Sequence, residues 1–302
     1  MNFDFSEILS RAFQITWKHK ILWLFSALPA LVSFLVFPIM FIPVFLMGEN
    51  SYNTPFFVES PVYGILFFLF FIFIFLFSYV LYGISSAAVV LGAKRADAAD
   101  KSFTFKELFN DSKPYWWRVL GVLLLIGLSV SLVFLVIFGC MSIFGAVTVG
   151  LGFICMVPIM LLMYPIMMVL YAVIEESQVA VVVDDAGIID AIKRGSELVR
   201  ANFWGIVLIS LVVYVGISIL SSIFMLPLMS PMFLIPFLMD TGTEPSPRTM
   251  MLFLGVFSLF FIPVMALIQG ITITYLKSTY TLIYLRLTKP QDNAPVVLET
   301  NE

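Results

Sequence analysis

Apolar residues in this chain gather into five runs without a single charge, at 21–48, 60–93, 119–174, 201–239 and 249–276. A bilayer core about 30 Å thick is crossed by roughly 20 residues of helix. Four of the runs hold one span each. The run 119–174 is too long for one and suits two, with a turn between Gly145 and Gly152. The pattern predicts six spans at about 21–47, 62–92, 119–143, 152–174, 204–226 and 250–276. Backbone groups in lipid must be satisfied within the segment, which selects helices. Barrel strands would be about 10 residues long and would alternate in polarity.

The polar stretches have a rhythm of their own. After Asp4, with Glu7 three residues into a capping box, Phe5, Ile8, Leu9, Ala12, Phe13 and Thr16 recur at helical spacing. Thr104 and Glu107 form a second capping box, and Asp185 is a plausible cap for a third helix. Interfacial amphipathic helices are predicted at about 5–18, 105–117 and 186–200. All five tryptophans stand where these segments enter an odd-numbered span: Trp17 and Trp23, Trp116 and Trp117, and Trp204. The chain thus reads as an all-α polytopic membrane protein of three units. Each unit is an amphipathic helix followed by a hairpin of two spans. One membrane domain covers 1–289, and 290–302 is expected to be a disordered cytoplasmic tail. The competing reading is that any inner loop between spans tends to be basic and amphipathic.

Composition agrees, with 12% charged residues against about 25% in soluble domains. Charge then sets orientation. Of the 16 Lys and Arg, only Arg248 lies on one face. The others are Arg11, Lys18 and Lys20; Lys94, Arg95, Lys101, Lys106, Lys113 and Arg118; Lys193, Arg194 and Arg200; and Lys277, Arg286 and Lys289. The positive-inside rule places these groups, and both termini, in the cytoplasm. The expected location is therefore the cytoplasmic (inner) membrane. A net charge of −3 conceals this asymmetry and implies no nucleic-acid partner. The first apolar run is longer than a signal-peptide core of about 7–15 residues and reads as a retained anchor. Each Lys or Arg near an anionic leaflet contributes roughly 1 kcal/mol. Candidate contacts to anionic headgroups are Arg11, Trp17, Lys18, Lys20, Trp116, Trp117, Arg118, Lys193, Arg194, Arg200 and Trp204.

Candidate chemistry is sparse. No ionisable residue is expected in the span centres, which argues against ion-coupled transport. Pro29, Pro38 and Pro43, and Pro227, Pro231 and Pro236, could break helices around a ligand, or simply end or bend spans. Gln269, beside Gly270, reads as an interhelical hydrogen bond worth about 0.6 kcal/mol. Gly83, Ala87, Ala88 and Gly92 mark a face for close helix packing, within the chain or between protomers. Glu175 and Glu176, with Asp184 and Asp185, read as solvated loop charge or as carboxylates of an interfacial site. His19, the single histidine, cannot make a His-based metal site. Cys140 and Cys155 are expected to be small buried residues, and the Phe and Tyr from Phe67 to Tyr82 lipid-facing bulk. No metal and no cofactor is expected.

The run "VVVDDAGIIDAIKRGSELVRANFWGIVL" resembles a group of uncharacterised bacterial and archaeal six-span membrane proteins. That group is similar to the membrane domain fused to some glycerophosphodiester phosphodiesterases and to YciC-like inner-membrane proteins. The matching positions are Asp184, Asp185, Ala191, Arg194, Arg200 and Asn202. "RAFQITWKHKILWLF" and "YTLIYLRL" look like it too. The resemblance implies a fold and a location, with no catalytic site to carry over. The longest stretches outside the spans, 94–118 and 175–200, are too short for the soluble barrel of the fusions, which takes about 200 residues or more. The leading expectation is a non-enzymatic, lipid-contacting scaffold or partner subunit, with a protein partner or a homo-oligomer possible. The alternatives are a permease for an apolar or amphipathic small molecule and an interfacial lipid-modifying enzyme.

Overall fold

A computed structural model describes residues 5–46, 61–99, 103–148, 156–239 and 247–288. In chain order the elements are α1 (Phe5–Lys18), α2 (Ile21–Leu46), α3 (Pro61–Ala99), α4 (Phe105–Ser112), α5 (Trp116–Val147), α6 (Met156–Val183), α7 (Ile188–Ala201), α8 (Phe203–Met239) and α9 (Pro247–Thr288). Five helices, α3, α5, α6, α8 and α9, are long and apolar enough to cross a membrane. In α2 the stretch Ile21–Phe34 is a shorter apolar segment.

The centre is built by α2, α3, α6 and α9. α9 packs most extensively on α2, α3 lies against both, and α6 joins α3 to α9. α5 and α8 sit outside this group, and α8 has little contact with α9. The last two long helices are therefore not a tightly paired hairpin. α9 reaches α2 closely because Gly270 has no side chain: a Cβ there would stand 2.6 Å from the Trp23 carbonyl oxygen and 3.0 Å from Ala27 Cβ.

Burial is concentrated toward the charged end. Ala87 to Val90 on α3, Val179 to Val182 on α6 and Leu282 to Leu285 on α9 are buried. Farther along the same helices, Phe68, Leu161 and Phe260 are exposed, as apolar side chains facing lipid would be. The three amphipathic helices close the charged end. α1 buries Ile8, Ala12, Ile15 and Thr16 and packs on α9. α4 buries Leu108 and Ser112 and packs on α3. α7 buries Ala191, Gly195 and Val199 and packs on α6. Part of each apolar stripe thus covers protein, while Phe13 on α1, Phe105 on α4 and Ile189 on α7 remain exposed.

Several local expectations change. The capping box is present, with Thr104 N donating to Glu107 Oε2 at 2.9 Å and Glu107 N to Thr104 Oγ1 at 3.4 Å. Its helix, expected over 105–117, stops at Ser112, and Trp116 and Trp117 open α5 instead. Asp185 does not cap α7; Gly187 occupies that position. Asp185 sits at φ 54°, in the left-handed region, where the chain turns from α6 toward α7. α2 stays helical through Pro29, Pro38 and Pro43, and α8 through Pro227, Pro231 and Pro236, so neither set ends its helix. α3, α6 and α9 run past the expected span ends at 92, 174 and 276. Asp4, Lys101, Cys155 and the tail 290–302 lie outside the described residues.

Candidate functional site

The extensions of α6 and α9 carry charge into the bundle. Glu175, Glu176 and Lys277 are 1, 0 and 2% exposed. This corrects the expectation that Glu175 and Glu176 are solvated loop charge. The apolar runs were ended at the first charge, but the helices continue through it. Glu175 lies eight residues before Val183, or about 12 Å inside the end of α6 at 1.5 Å per residue.

Three helices supply the cluster. Glu175 and Gln178 are three residues apart on α6 and share a face. Tyr82 and Ser86, four apart, do the same on α3. Lys277 projects between them from α9. Its ammonium donates to Glu175 Oε2 at 2.9 Å and to Gln178 Oε1 at 3.0 Å. Ser86 Oγ donates to the same Gln178 oxygen at 2.6 Å. The ammonium stands 5.4 Å from the centre of the Tyr82 ring, within cation–π range. Tyr171 lies one turn before Glu175 on the same helix. Hydroxyls continue the polar core, with Ser26 and Thr274 paired at 2.9 Å and Ser210 and Tyr280 at 2.8 Å. A buried ion pair of this kind is roughly neutral for stability, because desolvation offsets the attraction. Its presence calls for a reason other than stability.

Two cavities flank the cluster. One, of about 490 Å³, lies among α5, α6, α8 and α9 and is lined by Phe134, Tyr164, Met168, Tyr171, Tyr214 and Tyr280, among others. The other, of about 480 Å³, lies among α2, α3, α5 and α9. Its lining includes Ser33, Ser78, Tyr79, Ser86, Gln269 and Lys277. Both fall in the usual range for small-molecule sites, about 300–1,000 Å³. The second is the more hydroxylic, with a single cation on its wall. The first is aromatic and sulfur-rich.

The expected lipid-contact residues divide. Arg11 pairs with Asp97 at 3.3 Å, and Asp97 also receives Arg286 at 3.5 Å. Arg118 binds Asp185 at 2.7 Å and donates to the Asp185 and Ala186 carbonyls at 2.9 and 3.3 Å. Arg194 binds Asp184 at 2.8 Å, and that hydrogen bond raises its pKa above the ordinary arginine value. These arginines tie α1 to α3, and α5 and α7 to the end of α6. Lys18, Lys20, Lys193 and Arg200 are exposed, as are Trp17, Trp117 and Trp204; Trp116 is half-buried.

Gly83, Ala87, Ala88 and Gly92 are buried inside the chain. A Cβ on Gly83 would meet Leu120 and the Trp116 carbonyl of α5, and one on Gly92 would meet Leu22 of α2. Gln269 is exposed and lines the Lys277 cavity. His19 stacks on Phe103 with ring centres 4.9 Å apart. Cys140, expected to be buried, is exposed on α5. Among the described residues no group of three or more His, Cys, Asp and Glu could hold a metal ion.

Long apolar helices enclosing a buried polar cluster define an α-helical, multi-pass membrane protein. The chain belongs to the family described as a domain of unknown function, DUF7847, which matches residues 21–284. No curated protein and no solved structure matches it.

Proposed function

We propose that this protein binds an amphipathic small molecule inside the bilayer and carries it across the cytoplasmic membrane. In this reading α2 is a sixth crossing, and the basic end faces the cytoplasm. The observation that carries the proposal is the Lys277, Glu175 and Gln178 cluster standing between two cavities of about 480 and 490 Å³. The main objection to a permease was the lack of intramembrane charge, and a charged cluster buried among the long helices weakens that objection. The scaffold reading loses ground for a matching reason: α1, α4 and α7 turn their buried faces to the bundle.

Purified protein in detergent is to be screened by thermal unfolding against fatty acids, alkyl phosphates, alkyl amines and alkyl glucosides. At least one class should stabilise it, and the same class should move across proteoliposomes. The stabilisation should vanish in the Lys277→Met/Glu175→Met double variant, which removes both charges together and so avoids stranding one. Stabilisation by no class, or stabilisation unchanged in the double variant, would overturn the reading.

A subsidiary role in gathering anionic lipid is supported by exposed Trp17, Trp117 and Trp204 near exposed Lys18, Lys20, Lys193 and Arg200. Native mass spectrometry should retain phosphatidylglycerol in preference to phosphatidylcholine. Equal retention would remove it.

A further inference from the structure

Two adjacent glutamates of α6 have opposite surroundings. Glu175 is held by Lys277 at 2.9 Å. Glu176 is fully buried, and neither of its carboxylate oxygens has a hydrogen-bond partner among the described residues. Among the described residues, none of the helices that pack most on α6 brings a cation to it. α9 presents Tyr280, and the ammonium of Lys277 on the same helix is engaged with Glu175 and Gln178. α3 presents Tyr82 beside Lys277, while Lys94, Arg95 and Asp97 sit at the charged end. The sole Lys or Arg of α5, Arg118, is committed to Asp185. The residues α7 buries are Ala191, Gly195 and Val199, while Asp190, Lys193, Arg194, Glu197 and Arg200 are exposed. α8 contains no Asp, Glu, Lys, Arg or His, and its Tyr214 packs on Tyr164 in the aromatic cavity.

An ionised carboxylate is not stable in that place, fully buried and with neither donor nor counter-ion among the described residues. A neutral carboxylic acid can. We propose that Glu176 is a proton-binding site of the bundle, loaded in this arrangement and emptied in an arrangement that admits water to it. On emptying, the carboxyl O–H bond breaks, the proton passes to water and a carboxylate remains. That negative charge would stand beside the adjacent carboxylate of Glu175, the partner of Lys277, so the proton at Glu176 and the charge of the polar cluster are linked by repulsion between the two carboxylates. Resting on the function proposed above, this makes traffic through the cluster proton-coupled.

The test needs no ligand. Infrared spectra of the full chain in lipid vesicles, taken between about pH 5 and pH 9, report protonated carboxyl groups directly. A protonated-carboxyl band should be present at neutral pH. It should be lost in Glu176→Gln, kept in Glu175→Gln and displaced in frequency in Glu176→Asp, which preserves an acid at the site. The neutral Gln imitates the protonated form, so Glu176→Gln should elute and melt like the wild type. Absence of the band at neutral pH, or its persistence in Glu176→Gln, would overturn the proposal. A second arm separates it from the transport reading. With an amphiphile found by the thermal screen, binding in weakly buffered solution should change the proton count of the wild type and leave that of Glu176→Gln unchanged. If no amphiphile binds, transport fails and the infrared result still decides Glu176. If one binds with equal proton counts in both proteins, the coupling fails and transport stands.

Discussion

Lys277 ends one apolar run in the sequence and fills the middle of a polar cluster in the fold. Its partner Glu175 is 102 positions away along the chain. Removing either charge leaves the other buried and unpaired, which costs about 3–5 kcal/mol, whereas removing both is often neutral. Lys277→Met and Glu175→Met should therefore each lower stability by about that amount, and the double variant should recover most of it. Unfolding in mixed micelles checks this. Additive losses in the double variant would show that the pair does not interact as described. Gly270 offers a second measurement at this scale. Gly270→Leu must push aside the Trp23 carbonyl and Ala27, and overpacking of this kind costs about 1–3 kcal/mol. A melting temperature equal to wild type would mean that α2 and α9 have room to part.

At the scale of elements, the short helices have changed role. Their amphipathic periodicity was legible, but periodicity alone does not say whether lipid or protein covers the apolar stripe. α1 covers the end of α9 and is fastened to α3 through Arg11 and Asp97, and α7 covers the end of α6 and is fastened to it through Arg194 and Asp184. The start of α4 depends on its capping box. Hydrogen bonds from Thr104 hold the Glu107 carboxyl below its ordinary value of 4.5. A pKa lowered by folding gives a contribution that is complete above the unfolded value and is lost as pH falls through the folded one. Amide exchange at the first turn of α4, corrected for its intrinsic pH dependence, should thus accelerate in acid, below about pH 4. Thr104→Ala should accelerate it already at neutral pH, in keeping with the loss of about 1 kcal/mol of local stability. A first turn whose protection ignores both changes would mean that packing on α3, and not the cap, holds α4.

The whole molecule is a bundle tightly packed at its charged end, with both cavities set among the long helices. With the six crossings proposed above, both termini would lie on the basic face and Arg248 on the opposite one. Reporter tags beside Arg248 and after Glu302 should then appear on opposite faces of the membrane. Detection of both on one face would remove the six-crossing arrangement.

The membrane class, the stretches that become long helices, the amphipathic segments and the Thr104 capping box followed from the sequence by itself. Each depends on residues close together in the chain: a run without charge, a helical rhythm, a cap three residues from its partner. The charge-free rule also produced the central error. It ends each helix at the first charge and leaves Glu175 and Glu176 in solvated loop, because from one segment alone the cost of burying a charge has no visible compensation. "VAVVV" after Gln178 and "TLIYL" after Tyr280 were the available signs that the helices continue. Only the tertiary structure decided that Glu175 and Lys277 neutralise each other, that Glu176 has no such partner, and that two cavities lie beside them. Pairing charges from different helices is a property of their packing, and no single stretch of the chain contains it.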